Sequence, residues 1–184
     1  MVINEKGLCT AMKDAFKKRS TGYKVAARFD EHETDQEIVL SAPGWTVIIN
    51  RENAPRKVMG LIVEHMGDLP QIGRACHVQD EQTQAEIYDM AVPETAELVS
   101  GAGIRRTNLT WCGCQIWQRT DNLEVFMVTP KIEDLLDNYN VTLKLTTAGQ
   151  FYAEGKASKI YFEPMQVMKD RMVALNHLAK LQWV

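Results

Sequence analysis

The chain has no run approaching the ~18 consecutive apolar residues that a membrane-spanning helix needs. Asn4, Glu5 and Lys6 stand where a secretory peptide would carry apolar residues, so no such peptide is expected here. A phosphate-binding loop is missing too. Gly101-Ala102-Gly103 begins like a dinucleotide fingerprint, but Arg106 occupies the place of the third glycine and the residues that follow alternate like a strand. No Walker-type segment, Gly-x-Ser-x-Gly elbow or local cysteine-protease signature occurs.

Cysteine is sparse, with Cys9, Cys76, Cys112 and Cys114 the four in 184 residues. A chain of this length buries roughly 70% of its unfolded surface and needs no cross-links, so the four are read as free thiols of a cytoplasmic protein. An excess of basic charge is also lacking. The formal net charge of -3 argues against a nucleic-acid coat. The local basic group Lys13, Lys17, Lys18, Arg19 and Lys24 reads as helix capping and solvation, which ranks direct nucleic-acid binding last.

What is present is ordinary globular usage, 45% hydrophobic and 24% charged. Leu8, Ala11, Met12, Ala15 and Phe16 recur at spacings of three and four, which predicts a helix over residues 4–19. Tyr23, Val25, Ala27 and Phe29 alternate with polar or small residues, predicting a strand with one buried face. Residues 37–40 and 45–50 continue it, with Pro43-Gly44 as the bend, into a three-stranded antiparallel meander. Asn53 is the expected N-cap of a helix with Pro55 in its first turn, Val58, Leu61, Ile62 and His65 on one face, and Gly67 as its stop.

Residues 74–78 read as a strand, while 84–92 fit a short helix or a strand equally well. Residues 100–103 are the natural place for an internal boundary, dividing the chain into halves at 1–100 and 101–184 that form either two units or one continuous domain. Beyond them, residues 105–119 alternate as one strand, 120–122 turn, and 123–128 pair back. A helix opened by Pro130, strands at 141–145 and 159–162, and a final helix opened by Pro164 complete the reading. Strand, proline and amphipathic helix recur over 45–66, 123–139 and 159–178, the pattern either of duplicated ββα units or of common local chemistry. The expected fold class is α+β: antiparallel meanders packed with amphipathic helices, with two related ββα-type halves as the finer form.

Three groups of residues are candidates for function. Residues 30–37 hold five carboxylates, among them Asp30, Glu31, Glu33 and Asp35, without the spacing or central glycine of a calcium loop; they read as a solvated turn or as a docking point for a basic surface. If 105–119 is one strand, Trp111 and Trp117 fall on the same side and flank Gly113, leaving a notch for a flat ligand or a partner's side chain, beside Arg105 and Arg106. On the other side of that strand Cys112 and Cys114 would sit together, and with Cys76 and His77 they are the sequence's one candidate metal set, although small buried thiols are the commoner reading.

Absence of a legible catalytic motif, together with the acidic balance, favours a non-enzymatic regulator or inhibitor that meets a basic protein partner through this acidic and aromatic surface. Small acidic inhibitors encoded by mobile elements and directed at basic nucleic-acid enzymes supply an analogy of composition. The alternative is a small-molecule or nucleotide-binding enzyme with its pocket between the two halves, near Trp111, Trp117, Arg105 and Arg106. No cofactor, metal or membrane partner is expected, and no catalytic residue is assigned.

Overall fold

A computed structural model describes residues 1–17, 23–79, 82–86, 98–137 and 141–180. The α+β expectation holds. A large antiparallel sheet carries helices on both faces.

The first helix, α1 (Glu5–Lys17), buries Leu8, Ala11, Met12, Ala15 and Phe16, the stripe its spacing predicts. Asn4 caps it: the Gly7 N–H donates to Asn4 Oδ1 at 3.1 Å and the Leu8 N–H to the Asn4 carbonyl at 2.9 Å. Strands β1 (Lys24–Phe29), β2 (Gln36–Ala42) and β3 (Trp45–Asn50) form the expected meander. One-sided burial does not hold for β1, because Ala26 is buried as well as Val25 and Ala27, while Phe29 is exposed. Ala26, Val39, Ile48, Ala75, Tyr152 and Tyr161 form a second buried cluster on the other face of the sheet, so its middle is covered on both sides.

Asn53 does not cap the next helix. Residues Arg51–Asn53 form a single 3-10 turn whose cap is Asn50, which accepts from the Glu52 N–H at 3.0 Å, and α2 (Arg56–Met66) starts directly after Pro55. Gly67 ends α2 at φ 81, the left-handed conformation that glycine adopts without penalty. His65 is exposed, yet its ring stacks on Phe16 with centroids 4.0 Å apart, which ties α2 to α1.

Strands β4 (Arg74–Gln79) and β5 (Gln82–Glu86) extend the sheet beyond β1, settling the earlier part of 84–92 as strand; residues 87–92 lie outside the described residues. Residues 100–103 are not a loop. They belong to β6 (Leu98–Trp111), a long strand paired with its neighbours on both sides. After it come β7 (Cys114–Arg119), β8 (Val125–Val128) and α3 (Pro130–Glu133). A second meander follows, β9 (Leu143–Thr146), β10 (Phe151–Gly155) and β11 (Ser158–Phe162). Pro164 does not open the last helix, because Met165–Gln166 pair with β8 as the edge strand β12, and α4 runs only from Lys169 to Lys180.

The strand order is β12-β8-β7-β6-β9-β10-β11-β3-β2-β1-β4-β5. The two meanders therefore meet antiparallel through their last strands, Trp45 opposite Phe162 and Ile49 opposite Ser158. Helices α1, α2 and α3 cover one face over a core that includes Phe126, Phe151 and Phe162. Helix α4 covers the opposite face over β7 and β8 through Leu175 and Ala179, and is tied down by Gln118, which donates to the Asn176 carbonyl at 2.9 Å.

Candidate functional site

Register decides which loops share an end of the sheet. Phe29 pairs with Gln36, Glu37 with Asn50, and Ile49 with Ser158, so the β1–β2 turn and the β10–β11 turn lie side by side. Following Tyr152 to Lys144 and Leu143 to Ile104, β6 continues toward that same end and passes beyond it to Trp111. Three turns thus line one end of the sheet: residues 30–35, 112–113 and 156–157.

The acidic turn is built by its first residue. Asp30 Oδ1 accepts from the Thr34 N–H at 2.7 Å and the Asp35 N–H at 3.1 Å, while Oδ2 accepts from the Thr34 hydroxyl at 2.9 Å. Desolvation pushes this carboxyl up, but the hydrogen bonds from Asp35 and Thr34 outweigh it and hold Asp30 below the usual carboxylate range. Asp30 is therefore a shaping residue. Glu33 sits at φ 56 and exposed, and Glu31 and Asp35 are exposed as well.

Between this turn and the β10–β11 turn lies an open groove of about 170 Å³, smaller than the ~300–1,000 Å³ of typical small-molecule sites. Its wall carries five carboxylates, Asp30, Glu31, Asp35, Glu37 and Glu154, against Lys156, Lys159 and His32. Glu37 is largely neutralised by Arg28, whose Nη2 and Nε lie 2.9 and 3.2 Å from Glu37 Oε2. Lys159 leans to Glu154 at 3.7 Å. Ile48 lines the groove and belongs to the second buried cluster, so the groove opens on the face opposite α1, α2 and α3. Glu154, Lys156 and Lys159 were not singled out from the sequence, where they are ordinary alternating strand and turn residues.

The aromatic segment is a hairpin, which corrects the single-strand reading of 105–119. Cys112 and Gly113 have φ 50 and 76, the two positive values of a two-residue turn, with Trp111 opposite Cys114. Reversal at 112–113 sets Trp111 opposite Cys114, three residues before Trp117 on β7, and so puts the two indoles on opposite faces. Trp117 faces the core under α3 and is 4% exposed; Trp111 faces the other way and is 38% exposed. There is no shared notch. Trp111 instead stands on the same face and at the same end of the sheet as the acidic groove.

Arg106 and Trp117 do come together, around a residue that sequence reasoning missed. Glu133 of α3 accepts from Arg106 Nε at 3.1 Å on Oε2 and from Trp117 Nε1 on Oε1. Arg106 also donates to Gln115 Oε1 at 2.9 Å, and Gln115 Nε2 reaches the carbonyls of Thr107 and Leu109 at 2.6 and 2.9 Å, satisfying the backbone freed by the bulge. These side chains clasp α3 to the hairpin. Arg105, one residue earlier in β6, is exposed and pairs across to Gln118 on the α4 side, so the four residues proposed to line one pocket divide between two faces.

The metal set does not assemble. Cys76 is buried in β4, seven strand positions from β6, and no group of three or more metal-ligating side chains occurs among the described residues. Burial raises the Cys76 thiol, and burial followed by Glu5 raises Cys9. No described helix is long and apolar enough to cross a membrane. No family model, curated protein or solved structure matches the chain.

Proposed function

We propose that this chain is a protein-binding regulator or inhibitor whose acidic groove receives a basic surface of its partner, with Trp111 as an apolar contact beside it. The observation that carries this reading is the groove wall, where Asp30, Glu31 and Asp35 stand together while Glu37 pairs with Arg28 and Glu154 with Lys159, at a sheet end that also presents an indole. Carboxylates spread over an open, polar concavity suit Lys or Arg side chains better than a flat apolar ligand, and complementary charge speeds encounter and rejects wrong partners. A basic nucleic-acid enzyme is the class of partner whose surface this charge best matches. We also propose two related ββα halves, supported by the way two three-stranded meanders join through their last strands.

The test is capture from the native cell by the wild-type chain and by a triple variant, Glu31→Gln, Asp35→Asn and Glu154→Gln, which leaves the Asp30 turn intact. A stoichiometric basic protein held by the wild type, lost by the variant and released by salt supports the proposal. An acidic partner, or equal retention by both chains, overturns it.

A further inference from the structure

The four thiols divide into two kinds. Cys9, half-buried in α1, and Cys76, buried in β4, belong to different elements, whereas Cys112, exposed, and Cys114, half-buried like Cys9, sit together at the tip of the β6–β7 hairpin. The tip is an unusual place for cysteine. Two-residue turns of this kind favour Asn, Asp or Gly at the first position, because both central residues adopt positive φ, and here that position is Cys112 at φ 50. Gly113 at φ 76 supplies the second, with open space around its α-carbon.

The turn also limits the spacing of the two α-carbons. Two α-carbons separated by one residue are joined by two virtual bonds of ~3.8 Å, and a bend between them shortens their separation toward the ~4.4–6.8 Å range that a disulfide spans. Gly113 adds no side chain between them. Pairing of Trp111 with Cys114 closes the turn around Cys112, which keeps the two cysteine backbones near one another.

We propose that Cys112 and Cys114 are a reversible redox pair that reacts with low-molecular-weight disulfides such as glutathione disulfide and closes to an intraloop disulfide. In the first step the Cys112 thiolate, the more exposed, attacks one sulfur of the small disulfide, forming a mixed disulfide and expelling one small thiolate. In the second, the Cys114 thiolate attacks Cys112 Sγ, forming the Cys112–Cys114 bond and expelling the other small thiolate. The protein loses two electrons and two protons; the small disulfide gains both and leaves as two thiols. Ring closure is intramolecular, so the mixed disulfide does not accumulate. Half-buried Cys9 and buried Cys76, whose thiols burial raises, stay out of the exchange. Because Trp111 adjoins the pair, its fluorescence reports the state of the bond.

The test treats the full chain with glutathione disulfide and reads intact mass, fragment mass and indole emission. Expected is a product lighter by two hydrogens, mapped to Cys112 and Cys114, with altered Trp111 emission and full reversal by dithiothreitol. Cys112→Ser and Cys114→Ser, both at the exposed tip, are checked for folding by circular dichroism. Cys114→Ser is expected to stop at the glutathione adduct on Cys112, at a level roughly tenfold or more above the wild type's. A persistent adduct on wild-type Cys112 equal to that of Cys114→Ser, a disulfide-linked dimer, or first reaction at Cys9 or Cys76 overturns the proposal.

Discussion

Glu133 shows how much one carboxylate can organise. Each of its oxygens accepts a hydrogen bond, one from Arg106 and one from the Trp117 indole, with the side chain only 18% exposed. Trp117→Phe keeps most of the ring in the core but leaves one oxygen without its donor. The expected cost is about 1–3 kcal/mol, read as a shift in the urea midpoint, and an unchanged midpoint would contradict the clasp. Tyr23 presents the reverse case. Its ring packs against Phe16 and Trp45, its hydroxyl is buried with no partner among the described residues, and burial pushes the phenol far upward. Tyr23→Phe removes a desolvated group that has no partner among the described residues, so stability is expected to stay level or to rise by up to about 1 kcal/mol; a clear loss would reveal a partner for the hydroxyl. Asp30 carries a pH dependence of definite sign. Its folded pKa is depressed, so its contribution to holding the turn is present above the ordinary carboxylate range and is lost as pH falls through the lower, folded value. Titration of its carboxyl carbon by NMR should give a midpoint below that of an unstructured aspartate, and a midpoint at or above it would show that the turn is not stapled by this side chain.

Among the elements, α1 and α3 meet at backbone distance. A β-carbon on Gly7 would lie 1.6 Å from the Asp134 carbonyl oxygen, and next to this contact the Asn4 N–H donates to the Leu135 carbonyl at 2.8 Å. Gly7→Ala therefore has to push α1 off the end of α3. A loss of roughly 1–3 kcal/mol or more is expected in chemical denaturation, although alanine is the better helix former; a gain would mean that the helices are farther apart. What was legible at this scale was whatever depends on local period. The α1 stripe, the bounds of β3 and the Gly67 stop follow from residues within one or two turns of one another. The β6–β7 hairpin was illegible because Cys-Gly lacks the usual Asn-Gly signature, and because alternation continues across the turn as though the strand did. Pro164 misled for a different reason: the pairing of Met165 with Met127 is non-local and holds two more residues extended before α4 begins. The candidate site was half legible. Its acidic turn is a run of neighbours, but Glu154, Lys156 and Lys159 reach it only because β11 pairs with β3, a contact between segments far apart in the chain.

For the molecule as a whole, the sheet separates two kinds of surface. One face is occupied by α1, α2 and α3 over the main core, and the other carries α4 at one side and the acidic groove at one end. A net charge of -3 is modest, so the distribution of charge matters more than its sum. Association with a basic partner should weaken by about tenfold or more as salt rises from low ionic strength to 0.5 M, because exposed charges are then screened within a few ångströms. The most direct test is hydrogen–deuterium exchange on the complex with the captured partner. Slowed exchange in residues 30–36 and 154–158, with α1 and α2 unchanged, is the predicted result; protection confined to α1 and α2, with the acidic turn exchanging as in the free chain, would contradict the assignment.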